Sequence, residues 1–418
     1  MLAAATMVAI PAASAIADEV TIPSLVYRTG PYAPNGIPFA NGFADYLTLL
    51  NERDGGIDGT KINLVECETA YNTTQGVECY ENTKGQGSLV YHPRSTGITY
   101  QLIPKATADK VVVHSMMYGR TSAANGTVFP YVFNFPATYW DAASIMTKHA
   151  GDMEGGIDNL SGKKIALVYH NSAYGKEPIR TLEKLSEKHG FSLELLPVDH
   201  PGQEQKATWL KVRQLRPDFV FMWGWGVMNQ VAIQEAASIR FPMDRFIGTW
   251  WSGSENDVLP AGAAANGYKS ITTHAAGGGF QAHDDIRTHV YGKGLGAGEE
   301  GRVGEVLYNR GMLEAIYTTE GIRAAMKIHN TKTPNSDQVR DGYEAIDITE
   351  EDLAAMGLPG FSVPVKVSCE NHGGPGLGAI QQWDASAAQW KLITGFVGAD
   401  RSVVDPLIAE DSAAYAKE

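Results

Sequence analysis

From Val20 to Tyr27 apolar side chains crowd one short run, and the turn-rich segment Thr29-Gly30-Pro31-Tyr32-Ala33-Pro34-Asn35-Gly36 follows. Phe39, Phe43, Tyr46, Leu47 and Leu50 then recur at three- and four-residue spacing, the period of an amphipathic helix. Gly55-Gly56-Ile57-Asp58-Gly59 stops it, and Lys61–Val65 reads as the next strand. The cycle repeats with a helix from about Thr73, a strand at Ser88–Tyr91, a helix from about Gly97 and a strand at Val111–His114. Phe135-Pro136 opens a second series: a helix over Thr138–His149, a strand at Lys164–Tyr169, a helix over Pro178–Lys188, and strands at Leu193–Val198, Phe219–Trp223 and Arg245–Thr249. Beyond Ala275 helical patterns return at Ile286–Tyr291 and Val303–His329, and the tail holds a strand pair, Ile380–Trp383 and Trp390–Thr394.

Strands alternating with helices predict parallel sheets with helices on both faces. Two such series predict an α/β chain of two doubly wound lobes, within the two or three domains that 418 residues allow. A hydrophobic content of 44% with 19% charged residues fits a chain that buries a core and excludes a disordered one. The net charge of −13 argues against nucleic acid and anionic membrane as partners, because both need a basic face. Residues 1–17, apolar and small and closing on Ala15-Ile16-Ala17, read as a truncated export signal lacking its basic start. No cysteine stands near that site to take a lipid. Cys67 and Cys79, twelve residues apart, would form a disulfide in an oxidising compartment or remain two buried thiols.

In open α/β sheets ligands bind outside the carboxyl ends of the strands, so the loops after each strand carry the chemistry. Those of the first series hold His92-Pro93-Arg94-Ser95-Thr96-Gly97 and Ser115-Met116-Met117-Tyr118. Those of the second hold Ser172-Ala173-Tyr174-Gly175, Gly224-Trp225-Gly226 and Trp250-Trp251-Ser252-Gly253. Ser and Thr before a helix seat an anion, and Arg94 can clamp a carboxylate through its fork. There is no GxSxG elbow, no Walker A loop, no CxxC and no HExxH, and the glycine-rich Gly292–Gly298 segment follows a helical pattern instead of a strand. No enzyme, cofactor or metal site is expected.

Val20–Tyr27 followed by Thr29-Gly30-Pro31, the helix ending Leu50-Asn51, Gly55-Gly56-Ile57-Asp58-Gly59, then Tyr174-Gly175, Pro217-Asp218-Phe219-Val220 and Gln382-Trp383 resemble, in this order, the periplasmic binding proteins of the branched-chain amino acid (Leu/Ile/Val-binding) family. The resemblance implies two lobes, 18–136 plus 276–372 and 137–275 plus 373–418, joined by three crossovers near Phe135–Thr138, Thr273–Gly277 and Asn371–Gly376. They would close over a small ligand and deliver it, as a monomer in the periplasm, to the permease of an ABC importer. Carried over position by position, the family's anion seat falls on Ser95 and Thr96, the next loop on Met117 and Tyr118, and the second-lobe aromatics on Tyr174 and Trp225. The acid that holds a ligand's ammonium would fall near Trp250, which has no charge, and Glu255 is the nearest substitute. With Trp251, and with His92 and Arg94 flanking the anion seat, these residues predict a slot for a small carboxylate with an aromatic or apolar body. A branched-chain or aromatic amino acid is the alternative ligand, and a ligand-sensing receptor domain the alternative role.

Overall fold

The computed structural model describes residues 18–417; the expected export signal at 1–17 lies outside them. In the first lobe β1 (Glu19–Val26) pairs in parallel with β2 (Lys61–Glu68). On its other edge β1 meets β3 (Val90–Tyr91) through bridges from Thr21 to Ser88 and from Ser24 to His92. Parallel pairing continues to β4 (Val112–His114) and β5 (Val132–Phe133). In the second lobe β6 (Lys164–His170) lies between β7 (Ser192–Val198) and β8 (Phe219–Trp223), and β9 (Phe246–Gly248) and β10 (Lys269–Thr272) extend the parallel sheet. A short antiparallel pair, β11 (Asp347–Ile348) and β12 (Val365–Lys366), precedes β13 (Leu377–Asp384), which joins β10 antiparallel and carries β14 (Gln389–Leu392) and β15 (Val397–Gly398).

All five residues of β8 are buried, as a parallel strand covered on both faces requires. The first lobe packs on the 24-residue helix Val306–His329, which crosses helix Ala33–Leu49 at close range. At that crossing a Cβ on Gly42 would stand 2.0 Å from the Tyr308 carbonyl, and one on Gly311 would stand 2.0 Å from the Phe39 carbonyl. Only glycine lets two helix backbones come so near.

The chain passes between the lobes three times. It leaves β5 for helix Tyr139–Met153, which Thr138 and Asp141 open with a capping box. It returns after β10 to helix Gln281–His289, and crosses again from His372 into β13. The first and third passes are tied together, because the His372 carbonyl accepts from the N–H groups of Asn134 and Phe135, both at 2.9 Å. His372 itself is buried, stacked on Phe133 with ring centroids 3.8 Å apart. It therefore packs inside the crossover.

Several elements depart from the sequence reading. β5, β10, β11, β12 and β15 have two to four residues, too few to show a period. A C-terminal helix, Arg401–Tyr415, has no counterpart in the expected elements. It joins the second lobe through Lys188–Asp400 and reaches the first through Asp411, which pairs with Arg120 at 2.8 Å. Cys67 on β2 and Cys79 on helix Thr73–Thr83 are disulfide-bonded with Cα atoms 5.8 Å apart, and Cys369 is free and exposed.

Candidate functional site

The strand ends of both lobes meet across a narrow, tightly closed cleft. From the first lobe, Tyr27 follows β1, Tyr71 follows β2, and Arg94, Ser95 and Thr96 follow β3. Tyr118, from the loop after β4, and Phe39, from helix Ala33–Leu49, complete that wall. The second lobe contributes Tyr139, Tyr174, Trp225 and Trp251. The Trp225 and Trp251 rings meet edge to face at 5.4 Å, so together they present a corner of apolar surface.

Ser95 is the N-cap of helix Thr96–Asp109, and its hydroxyl accepts from the Ile98 N–H at 3.5 Å. Thr96 Oγ1 lies 3.2 Å from the Tyr139 hydroxyl across the cleft. Arg94 has a left-handed backbone, φ +49°, and the Tyr118 hydroxyl accepts its N–H at 2.8 Å. Its guanidinium lies against the faces of Phe39 and Phe43, and its Nε and Nη2 donate to Glu314 Oε2 at 3.1 and 2.9 Å. The Arg94 side chain is 1% exposed and that of Glu314 0%. The third nitrogen, Nη1, has no hydrogen-bond partner among the described residues.

Burial would raise the Glu314 carboxyl, but the Arg94 guanidinium beside it holds it well below its ordinary value. Burial also pushes the phenols of Tyr27, Tyr118, Tyr139 and Tyr174 well above theirs, so they remain neutral donors. The lobes also touch directly. The Met117 carbonyl accepts from the indole N–H of Trp250 at 3.0 Å and of Trp251 at 3.3 Å. Met117 turns that carbonyl toward them from a left-handed backbone, φ +62°. At the cleft rim the Tyr32 hydroxyl sits between His170 Nε2 and His200 Nδ1, at 2.8 and 2.6 Å.

Of the residues expected from sequence, Arg94, Ser95, Thr96, Tyr118, Tyr174, Trp225 and Trp251 come together on the cavity wall. Three stand behind it. His92 is buried with Nδ1 3.5 Å from Glu314 Oε1, Met117 acts through its carbonyl, and Trp250 is fully buried and stacked on Tyr139. Glu255, the substitute ammonium partner, does not line the cavity. Its Oε2 accepts from the Val306 N–H at 3.0 Å at the start of the long helix. Arg120 is drawn away to Asp411. The sequence reading missed Tyr27, Phe39, Tyr71, Tyr139 and Glu314. For Glu314 a signal existed, since a carboxylate stands mid-pattern on a helix whose neighbours are apolar. Among the described residues no group of three or more His, Cys, Asp or Glu side chains could hold a metal ion, and no helix is long and apolar enough to cross a membrane.

The family model described as "Periplasmic binding protein" matches residues 19–388. A solved structure described as an ABC transporter permease from the Pseudomonas fluorescens group is 40% identical, with 96% of this chain and 97% of that chain covered and a TM-score of 0.88. A branched-chain amino acid ABC transporter protein from Thermus thermophilus with bound valine is 20% identical over 93% and 99% of the two chains, with a TM-score of 0.77. A solute-binding protein from R. palustris in complex with benzoate is 15% identical over 91% and 97%, with a TM-score of 0.69. These last two likenesses are of fold. A curated relative from Brucella melitensis, a Leu/Ile/Val-binding protein homologue, is 24% identical over 216 residues, 51% of this chain and 56% of that relative. The match spans just over half of that relative's length. The chain belongs to the periplasmic binding protein family of non-enzymatic solute binders, with the type I fold of its Leu/Ile/Val-binding members.

Proposed function

We propose that this protein captures a small carboxylate with a flat or apolar body between its two lobes and delivers it, as a periplasmic monomer, to the permease of an ABC importer. The lobes are 18–136 plus 276–372 and 137–275 plus 373–418, with hinges at the three crossovers. The observation that carries the reading is the polar inventory of the cavity wall. It holds donors, namely Arg94 Nη1, the Ser95 and Thr96 hydroxyls and the tyrosine phenols, and no carboxylate. Glu314, behind the wall, is engaged by Arg94. An α-ammonium group enclosed there would be a buried charge without a partner, at a cost of several kcal/mol. A carboxylate would instead find a charged donor, and its apolar body the Trp225–Trp251 corner.

Calorimetric titration with benzoate, phenylacetate, cinnamate, a branched 2-oxo acid and leucine tests the reading. One or more of the four acids binding while leucine gives no heat is the expected result. Tight leucine binding with none for the other acids would overturn it in favour of an amino-acid carrier.

A further inference from the structure

Behind the cavity wall the hydrogen-bond count around His92 does not close. The Thr318 hydroxyl donates its one proton to the Glu314 backbone carbonyl at 2.7 Å. Toward His92 Nε2, 3.2 Å away, it is therefore an acceptor, and that nitrogen carries the imidazole's hydrogen. His92 Nδ1 is then a bare lone pair, and 3.5 Å away it faces Glu314 Oε1, another acceptor. Both atoms are buried and neither has a hydrogen-bond partner among the described residues. Two acceptors face each other across the space of one proton.

Every charged or titratable group around this pair belongs to the same cluster. Glu314 comes from the long helix, Arg94 from the loop that His92 itself begins, and His114 from β4 with ring centroids 5.7 Å apart. Phe43 of helix Ala33–Leu49 covers another face of the ring. The phenols of Tyr27, Tyr118 and Tyr343 act on Glu314 and remain neutral. Without ligand, Arg94 and Glu314 neutralise each other and burial keeps His92 uncharged. A ligand carboxylate on Arg94 Nη1 changes that balance, because one guanidinium then serves two carboxylates and the enclosed cluster acquires a net negative charge.

We propose that capture of a carboxylate draws one proton from solvent onto His92 Nδ1, where it closes a hydrogen bond to Glu314 Oε1 and returns the cluster to neutrality. His92 and Glu314 are thus positioning residues, which let Arg94 accept an external anion without leaving a buried charge unpaired. The inference rests on the carboxylate reading above. Its direction in pH follows from linkage. A group whose pKa rises on binding adds affinity below its free value and loses it as pH climbs to the bound value, by up to about tenfold per pH unit.

The test is titration of the whole protein with benzoate, phenylacetate and cinnamate at one pH in two buffers of different ionisation enthalpy. The expected result is an observed heat that changes with buffer by an amount approaching one proton taken up per ligand. His92→Gln and Glu314→Gln should each abolish that buffer dependence, and His114→Gln should retain it. Binding of any of these acids to the wild type with no buffer dependence overturns the proposal alone, whatever the variants do. Retention of full uptake in His92→Gln overturns it as well. Failure of these three and of the branched 2-oxo acid to bind overturns the capture reading and this inference with it.

Discussion

Arg94 and Glu314 form an ion pair at 2.9 Å that joins the loop after β3 to the long helix of the same lobe, out of reach of solvent. A buried pair of this kind gives little net stability over an apolar replacement, yet removing one member strands the other. Glu314→Ala should therefore cost about 3–5 kcal/mol in urea unfolding. The double replacement Arg94→Met with Glu314→Leu should recover most of that loss and still fail to bind a carboxylate.

The same pair sets an acid limit. Glu314 is depressed in the folded state, so its contribution is complete above its unfolded pKa, about 4.3, and falls away as pH drops toward the folded value. Acid unfolding of wild type and of the Arg94→Met, Glu314→Leu protein should diverge below about pH 4, the wild type losing stability faster. Parallel curves would mean that the pair is not linked to folding.

Trp225 and Trp250 should behave differently although both are buried. Trp225 lines the cavity, and its truncation to Ala should cost about 2–4 kcal/mol in ligand binding, roughly 30- to 1000-fold in affinity. Trp250 lies behind the wall, where Trp250→Ala should cost about 3–5 kcal/mol of fold stability. Paired titration and urea unfolding separate the two effects.

Glu255 offers a test in the opposite direction. Burial pushes its carboxyl up to about 7. Because the folded value is raised, its ionisation opposes folding as pH climbs from the unfolded pKa through 7. The Val306 N–H it caps can be served equally by a glutamine oxygen. Glu255→Gln should leave ligand affinity unchanged and raise stability at pH 8 by about 1 kcal/mol, discounted for its partial exposure. A collapse of leucine binding in this variant would instead give Glu255 the ammonium role.

Thiol counting on unfolded, unreduced protein should find Cys369 alone. Reducing Cys67–Cys79 should lower stability by about 3 kcal/mol, the chain-entropy value for a loop of this length.

Where periodicity was long, sequence and structure agree closely. The turn and helix patterns around Phe39–Leu50 and Val303–His329, and the fully apolar run Phe219–Trp223, correspond to observed elements. Elements held by tertiary context left no pattern. β10 reads Lys-Ser-Ile-Thr and is buried by its flanking strands β9 and β13 and by helix Tyr139–Met153 packed against it. The site divides in the same way. Loops after strands disclosed Ser95, Thr96, Tyr174 and Trp225, since their place follows from topology. Tyr139 opens a second-lobe helix and reaches the cleft only through the assembled fold, so no local spacing marks it; Glu314 stands out as a carboxylate in an apolar helical pattern, but its partner Arg94, 220 residues away, does not. Trp250 and Trp251 are adjacent in sequence and equally aromatic, and only the fold decides which of the two faces the cavity.

Two indole N–H groups from one lobe share the Met117 carbonyl of the other. Each such bond contributes about 0.5–1.5 kcal/mol to the closed arrangement. Under the proposed importer role the latch has a cost at release: a docked permease would have to part both indoles from that one carbonyl before the lobes could open, so unloading would be slower than the ligand's own contacts require.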